Sequence, residues 1–268
     1  MSRGSIKSGD AQLSIRSDGD SGKPWLLVSN SLAADMHMWD AQLPLLTRTH
    51  RVVRYDTRGH GQSSAPEGPY SFDILVGDML AVLDHVGAPK ADVLGLSLGG
   101  MTALGLGLRY PERVGRMIVC SARADNPPPF VTSWDERISA IEKNGMEAIV
   151  DGTLARWFTE ACPPAPREKA RKMILATSVT GFTGCARALQ KLHYLKFLPE
   201  MTVPVRYLVG SEDMGAPKDT MAAMAEATPN SEFTILPRLA HIINMQDPEM
   251  FDQAVAPWLR LSAQEHNT

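Results

Sequence analysis

A serine with a glycine two positions away on either side, Gly95-Leu96-Ser97-Leu98-Gly99, is the best candidate nucleophile in this chain. A short apolar run precedes it, a helix-like run follows, and Gly100 extends the glycine set. This spacing suits a tight strand-to-helix turn, whose strained backbone leaves no room for bulky residues two positions away. The turn sets the hydroxyl at a helix N-terminus, where the dipole and free N–H groups favour developing negative charge.

Serine alone is a weak nucleophile and needs a base within hydrogen-bond reach. His241 follows the last strand-like run, in Leu236-Pro237-Arg238-Leu239-Ala240-His241, and is the candidate base. The other histidines, at 37, 50, 60, 85, 193 and 266, fall at strand starts, in helices, in loops or in the tail. They read as surface or packing residues. His60 lies in the dense polar stretch Asp56-Thr57-Arg58-Gly59-His60-Gly61-Gln62-Ser63, which reads as a structural turn after Tyr55. The acid that orients the base should follow a strand and precede His241; Asp213, after the apolar run 205–209, does so. Asp125, which follows the preceding strand, is the alternative. The order Ser97, Asp213, His241 resembles that of α/β-hydrolases and differs from the chymotrypsin and subtilisin orders.

An oxyanion formed at Ser97 needs two backbone donors. One is the N–H of Leu98, directly after the nucleophile. The other belongs to the loop 29–35, Ser29-Asn30-Ser31-Leu32-Ala33-Ala34-Asp35, where Leu32 is the expected donor. Most α/β-hydrolases carry His-Gly where this chain has Asn30-Ser31. Asn30 then either contacts substrate or fixes the loop.

The surrounding pattern supplies a frame for these residues. Runs at Trp25–Ser29, 52–55, 93–96, 117–120, 205–209 and 233–236 are short, apolar and mostly bounded by turn residues, as strands covered on both faces would be. Between 74 and 86 apolar residues recur every three or four positions, with Asp73 as expected N-cap and Gly87 as expected C-cap. Helices are also expected at 101–110, before Pro111, and at Lys218–Ala227, before Pro229. Strand–helix alternation predicts an α/β fold with a mostly parallel, doubly wound sheet. The alternation stops between 122 and 200, which opens on Pro127-Pro128-Pro129 and reads as helices without strands. We expect a core from residues 1–121 and 201–268, with 122–200 as a helical cap; the alternative is a set of crossover helices remote from the site.

Composition narrows the field. A chain of 268 residues with 44% apolar and 21% charged residues can bury a full core. A net charge of −3 offers no basic surface for nucleic acid. No His-Glu-x-x-His spacing points to a metal. Cys120, Cys162 and Cys185 form no Cys-x-x-Cys pair and suggest reduced thiols in a cytoplasmic protein. Residues 1–10 lack the apolar core of a signal peptide, and the uncharged stretch 93–108 is too short and glycine-broken to span a bilayer.

The chain resembles α/β-hydrolases of the 3-oxoadipate enol-lactonase type along nearly its whole length. The matching stretches are Ser29-Asn30-Ser31-Leu32, Met38-Trp39-Asp40, Tyr55-Asp56-Thr57-Arg58-Gly59-His60-Gly61 and Gly95 to Gly100. Ser133-Trp134-Asp135-Glu136-Arg137 and Arg156-Trp157-Phe158 match in the cap, whereas 181–198 match nothing in that family. The resemblance implies cofactor-free hydrolysis of a small enol-lactone in aromatic-acid catabolism, with Trp134 lining the pocket. Such a substrate carries a carboxylate, and burying it without a cation would cost several kcal/mol. Arg123, where the sheet meets the cap, and Arg137, one helical turn past Trp134, are the candidate partners. Serine instead of aspartate at 97 argues against haloalkane dehalogenases and epoxide hydrolases. The alternatives are a carboxylesterase or other C–O or C–C hydrolase using the same triad, and a non-catalytic binding module.

Overall fold

The computed structural model describes residues 2–265; Met1 and residues 266–268, His266 among them, lie outside the described residues. One sheet of eight strands runs through the molecule in the order β1-β2-β4-β3-β5-β6-β7-β8. Its strands are β1 (Ser2–Ser8), β2 (Ala11–Asp18), β3 (Trp25–Ser29), β4 (Arg51–Tyr55), β5 (Ala91–Leu96), β6 (Val114–Cys120), β7 (Val205–Gly210) and β8 (Ser231–Leu236). From β3 to β8 all pairings are parallel, and the six apolar runs read from the sequence are these strands. Helices cover both faces of the central strands, which explains why Val93, Leu94 and Leu96 in β5 are fully buried.

β1 and β2 were not expected from the sequence. They form an antiparallel hairpin at one edge, with β2 also antiparallel to β4. Ile6 of β1 and Ala11, Leu13 and Ile15 of β2 join the core, each flanked by polar residues. Such half-buried strands show period-two alternation rather than an apolar run.

Three helices lie between the early strands: α1 (Leu43–Thr49), α2 (Phe72–His85) and α3 (Leu98–Arg109). α2 is capped by Ser71, whose hydroxyl accepts from the Ile74 N–H at 3.3 Å. The expected cap, Asp73, instead sits in the first turn, where its charge suits the helix dipole. α3 begins directly after Ser97, three residues earlier than its apolar spacing suggested.

Between β6 and β7 the described residues form no strand of the sheet. They fold into α4 (Pro128–Asn144), α5 (Val150–Trp157), α6 (Pro164–Ala176) and α7 (Val179–Leu189). The prolines start helices here: Pro128 and Pro164 occupy first-turn positions, where a missing N–H costs nothing. α7, in the stretch that resembled nothing, docks on the Asp56–Ser63 turn through a glycine pair. A Cβ on Gly181 would lie 2.3 Å from the Gly59 Cα, and the Ser178 N–H donates to the Gly59 carbonyl at 3.1 Å. The turn itself is held by Arg58, which donates twice to Asp78 at 2.7 Å. After β7 come α8 (Lys218–Ala227), α9 (Ile243–Gln246) and α10 (Pro248–Glu265). Among the described residues no helix is long and apolar enough to cross a membrane.

Candidate active site

Ser97 occupies the turn between β5 and α3 with φ 55° and ψ −116°, a conformation costly for any residue with a Cβ. The neighbours hold it there. Its N–H donates to the Cys120 carbonyl at 2.8 Å, and its carbonyl accepts from the Met101 N–H at 2.9 Å. The flanking glycines are sterically required: a Cβ on Gly95 would lie 2.4 Å from the Gly99 oxygen, and one on Gly99 2.5 Å from the Ser29 carbonyl.

His241 lies in the loop between β8 and α9 and shares a cavity with Ser97. Its Nδ1 sits 3.0 and 2.9 Å from the two carboxylate oxygens of Asp213, which follows β7. Asp213 also accepts from the Gly215 and Ala216 N–H groups at 2.8 and 2.9 Å. Burial pushes this carboxyl up, but the His241 charge and hydrogen bond, with the Ala216 N–H, outweigh it and hold it below the ordinary carboxylate range. The carboxylate therefore fixes the imidazole with Nδ1 as donor, leaving Nε2 as acceptor. Asp125, the alternative acid, instead accepts from the Asn126 N–H at 2.7 Å and makes no contact with His241. The three histidine-loop, acid-loop and serine-turn elements thus bring Ser97, Asp213 and His241 together at the carboxyl ends of three strands. A serine so placed can attack a carbonyl while the histidine takes its proton.

The loop after β3 faces Ser97 from the opposite side. Ser31 to Ala34 form a turn closed by the Ala34 N–H on the Ser31 carbonyl at 3.2 Å, with Ala33 at φ 62°. Leu32 lies in this turn and lines the cavity. Leu98 is the first residue of α3, so its N–H has no acceptor within the helix. Asn30, read from the sequence as a candidate substrate contact, is fully buried and does not line the cavity. Its amide donates to the Tyr55 carbonyl at 2.7 Å and accepts from the Trp39 indole at 3.1 Å. Its carbonyl accepts from the Gly99 N–H at 2.9 Å, tying the loop to the serine turn. Asn30 fixes the loop.

The helices between β6 and β7 line the cavity from α4, α5 and α7, the last through Phe182 and Leu189. Phe130, Trp134 and Arg137 face it from α4, and Thr153, Arg156 and Trp157 from α5. Trp134 also packs edge-on to Phe130, at 5.9 Å between centroids, and against Phe182 of α7 at 6.3 Å. It therefore belongs both to the cavity wall and to the cap core. The Arg137 guanidinium lies 4.6 Å over the Trp134 ring. Burial lowers its pKa to about 10, aided by the neighbouring Arg156 charge and opposed by Glu136. Burial lowers Arg156 as well, and its guanidinium donates to the Thr153 hydroxyl at 3.3 Å. Neither arginine is ion-paired among the described residues.

Arg123, the other cation expected from the sequence, does not line the cavity. It donates to the Asp125 and Gly215 carbonyls at 3.1 and 3.3 Å and stacks on Phe130. Arg156, not Arg123, joins Arg137 in lining the cavity. The readable signal was helical spacing: Thr153, Arg156 and Trp157 are three and four residues apart and share one helix face.

Residues 24–248 match the family described as alpha/beta hydrolase fold. A 3-oxoadipate enol-lactonase of Acinetobacter baylyi is 32% identical over 92% of this chain and 92% of its own length. A putative carbamate hydrolase of Caulobacter segnis is 30% identical over 89% of this chain and 92% of its own. The crystal structure of the enol-lactonase from Burkholderia xenovorans superposes with a TM-score of 0.92 at 31% identity, covering 96% of this chain and all (100%) of that one. The sheet order, the strained serine turn and these likenesses agree: the chain belongs to the α/β-hydrolase family.

Proposed function

We propose that this protein hydrolyses a small carboxylated enol-lactone of the 3-oxoadipate type through an acyl-enzyme on Ser97. The observation that carries this reading is the pair Arg137 and Arg156, two guanidiniums without ion partners facing the cavity of Ser97 and His241. Cations held this way in a cavity otherwise lined mostly by Leu, Met, Phe and Trp select an anion that brings its own charge. The enol-lactone carries one carboxylate, and the relatives named enol-lactonase support the choice.

In this mechanism His241 Nε2 takes the hydroxyl proton as Ser97 Oγ attacks the lactone carbonyl. The Leu32 and Leu98 N–H groups hold the oxyanion of the tetrahedral intermediate. Collapse breaks the ring C–O bond and expels an enolate, a good leaving group, which takes a proton from the His241 imidazolium. Water, giving one proton to His241, then attacks the acyl-enzyme, and collapse breaks the acyl C–Oγ bond as His241 returns that proton to Ser97 Oγ, freeing the open diacid. No cofactor is needed in any step. The Asp213 carboxylate offsets the imidazolium charge in both halves.

Steady-state kinetics with the enol-lactone and with neutral esters of similar size tests the reading. We expect kcat/KM above about 10⁵ M⁻¹s⁻¹ for the enol-lactone and clearly lower values for neutral esters. Neutral esters turned over faster would leave a general carboxylesterase on the same triad.

A further inference from the structure

Gln246 closes α9 five residues after His241; it is buried and does not line the catalytic cavity. Its amide is fully engaged. Oε1 accepts from the Ala240 N–H at 3.1 Å and from the Thr159 N–H at 3.3 Å. Nε2 donates to the Arg238 carbonyl at 3.1 Å and to the Thr159 hydroxyl at 2.6 Å. A glutamine amide has two donors and two lone pairs in plane, and all four are used.

The partners fall into two groups. Arg238 and Ala240 belong to the loop that presents His241, while Thr159 belongs to the cap, two residues past the end of α5. A second link runs alongside: the Trp157 carbonyl accepts from the His241 N–H at 3.2 Å and from the Ile242 N–H at 3.1 Å. The backbone on both sides of the histidine therefore hangs on cap residues 157–159. The loop needs such support, because Arg238 is held at φ 59°, where a residue with a Cβ is strained. Asp213 fixes the imidazole ring but bonds none of this backbone.

We infer that Gln246 is a positioning residue that clasps the His241 loop to the cap, so that the base and the Arg156–Trp157 wall are held as one unit. The consequence is specific. Loosening the clasp displaces the base from Ser97, and it does so whether or not the substrate carries an anion. The inference rests on His241 acting as the base of Ser97.

The test uses Gln246→Met, which keeps length and volume but removes all four hydrogen bonds, and Gln246→Glu, which keeps an acceptor for the Ala240 and Thr159 N–H groups. Three readouts apply: the rate of inactivation by a fluorophosphonate, kcat and KM for a neutral ester, and hydrogen exchange of the 238–242 amides. For Gln246→Met we expect inactivation and kcat to fall by at least about tenfold with KM for the neutral ester unchanged. Exchange in 238–242 should quicken, and Gln246→Glu should recover most of the loss. A Gln246→Met protein that loses thermal stability alone, and reacts with the fluorophosphonate at the wild-type rate, overturns the inference. If Gln246→Met does not fold, Thr159→Val decides: slower inactivation at unchanged Tm supports the clasp, and wild-type inactivation rejects it. Should the wild type resist the fluorophosphonate at Ser97, the proposed function falls, and the exchange data still decide the clasp.

Discussion

Both carboxylate oxygens of Asp213 lie within hydrogen-bond range of His241 Nδ1, at 3.0 and 2.9 Å, and one of them is shared with two backbone N–H groups. An asparagine there would keep the backbone N–H groups satisfied through its oxygen. Its NH₂ would then face Nδ1 and force the ring proton onto Nε2, where it blocks proton uptake from Ser97. Asp213→Asn should therefore lower kcat by about 10⁴-fold with the fold intact by circular dichroism. Asp125→Asn should change activity by no more than about twofold. The reverse pattern would move the acid to the earlier strand.

Covalent chemistry at Ser97 is directly testable. A fluorophosphonate should label the wild type at one site and leave Ser97→Ala unlabelled. Hydrolysis of a 4-nitrophenyl ester by that variant should fall by at least about a thousandfold. Mass spectrometric identification of a different labelled serine would end the proposal.

The arginines separate anion recognition from chemistry. Arg137→Gln and Arg156→Gln should each raise KM for the enol-lactone by about 10- to 100-fold, the loss of a charge-assisted hydrogen bond. KM for a neutral ester should stay within about twofold. Arg123→Gln, which changes a side chain that does not line the cavity, should leave KM for the enol-lactone unmoved. Equal changes for charged and neutral substrates would show that the pair only packs the cap.

His60 should make stability depend on pH. It is fully buried, its Nδ1 bonds the Arg58 carbonyl at 3.0 Å, and its Nε2 has no partner among the described residues. Burial lowers its pKa to about 4, against the upward pull of that carbonyl. The unfolded chain, with a histidine near 6.5, then binds a proton between about pH 6.5 and 4 that the folded chain does not. Stability must fall as pH drops through that window, by about 3 kcal/mol from this group. Urea unfolding of His60→Gln should show a shallower loss between pH 7 and 4.5 than the wild type. Parallel slopes would remove His60 as the cause.

Much of the frame was legible because its causes are local. Gly95 and Gly99 are dictated by atoms within a few residues of Ser97 or on the adjoining strand, so their spacing already described the turn. The six parallel strands announced themselves because burial on both faces leaves an unbroken apolar run. β1 and β2 did not, since an edge hairpin with one wet face needs only a few apolar residues, here Ile6, Ala11, Leu13 and Ile15, and polar alternation of that length is common in loops.

The order of Ser97, Asp213 and His241 and their places after β5, β7 and β8 were legible in the sequence alone, since a parallel sheet carries the ends of its strands to one edge. Which arginine reaches the cavity was decided only in three dimensions. Arg123 and Arg156 are chemically alike, and nothing beside them in the chain tells them apart. Arg123 donates to the Asp125 and Gly215 carbonyls away from the cavity, while Arg156 lines the cavity with no ion partner among the described residues. Asn30 was settled the same way, by Tyr55 and Trp39 meeting its amide from an adjacent strand and a following turn. Hydrogen-bond partners and empty cavities are products of packing between distant segments, and the spacing along one segment does not contain them.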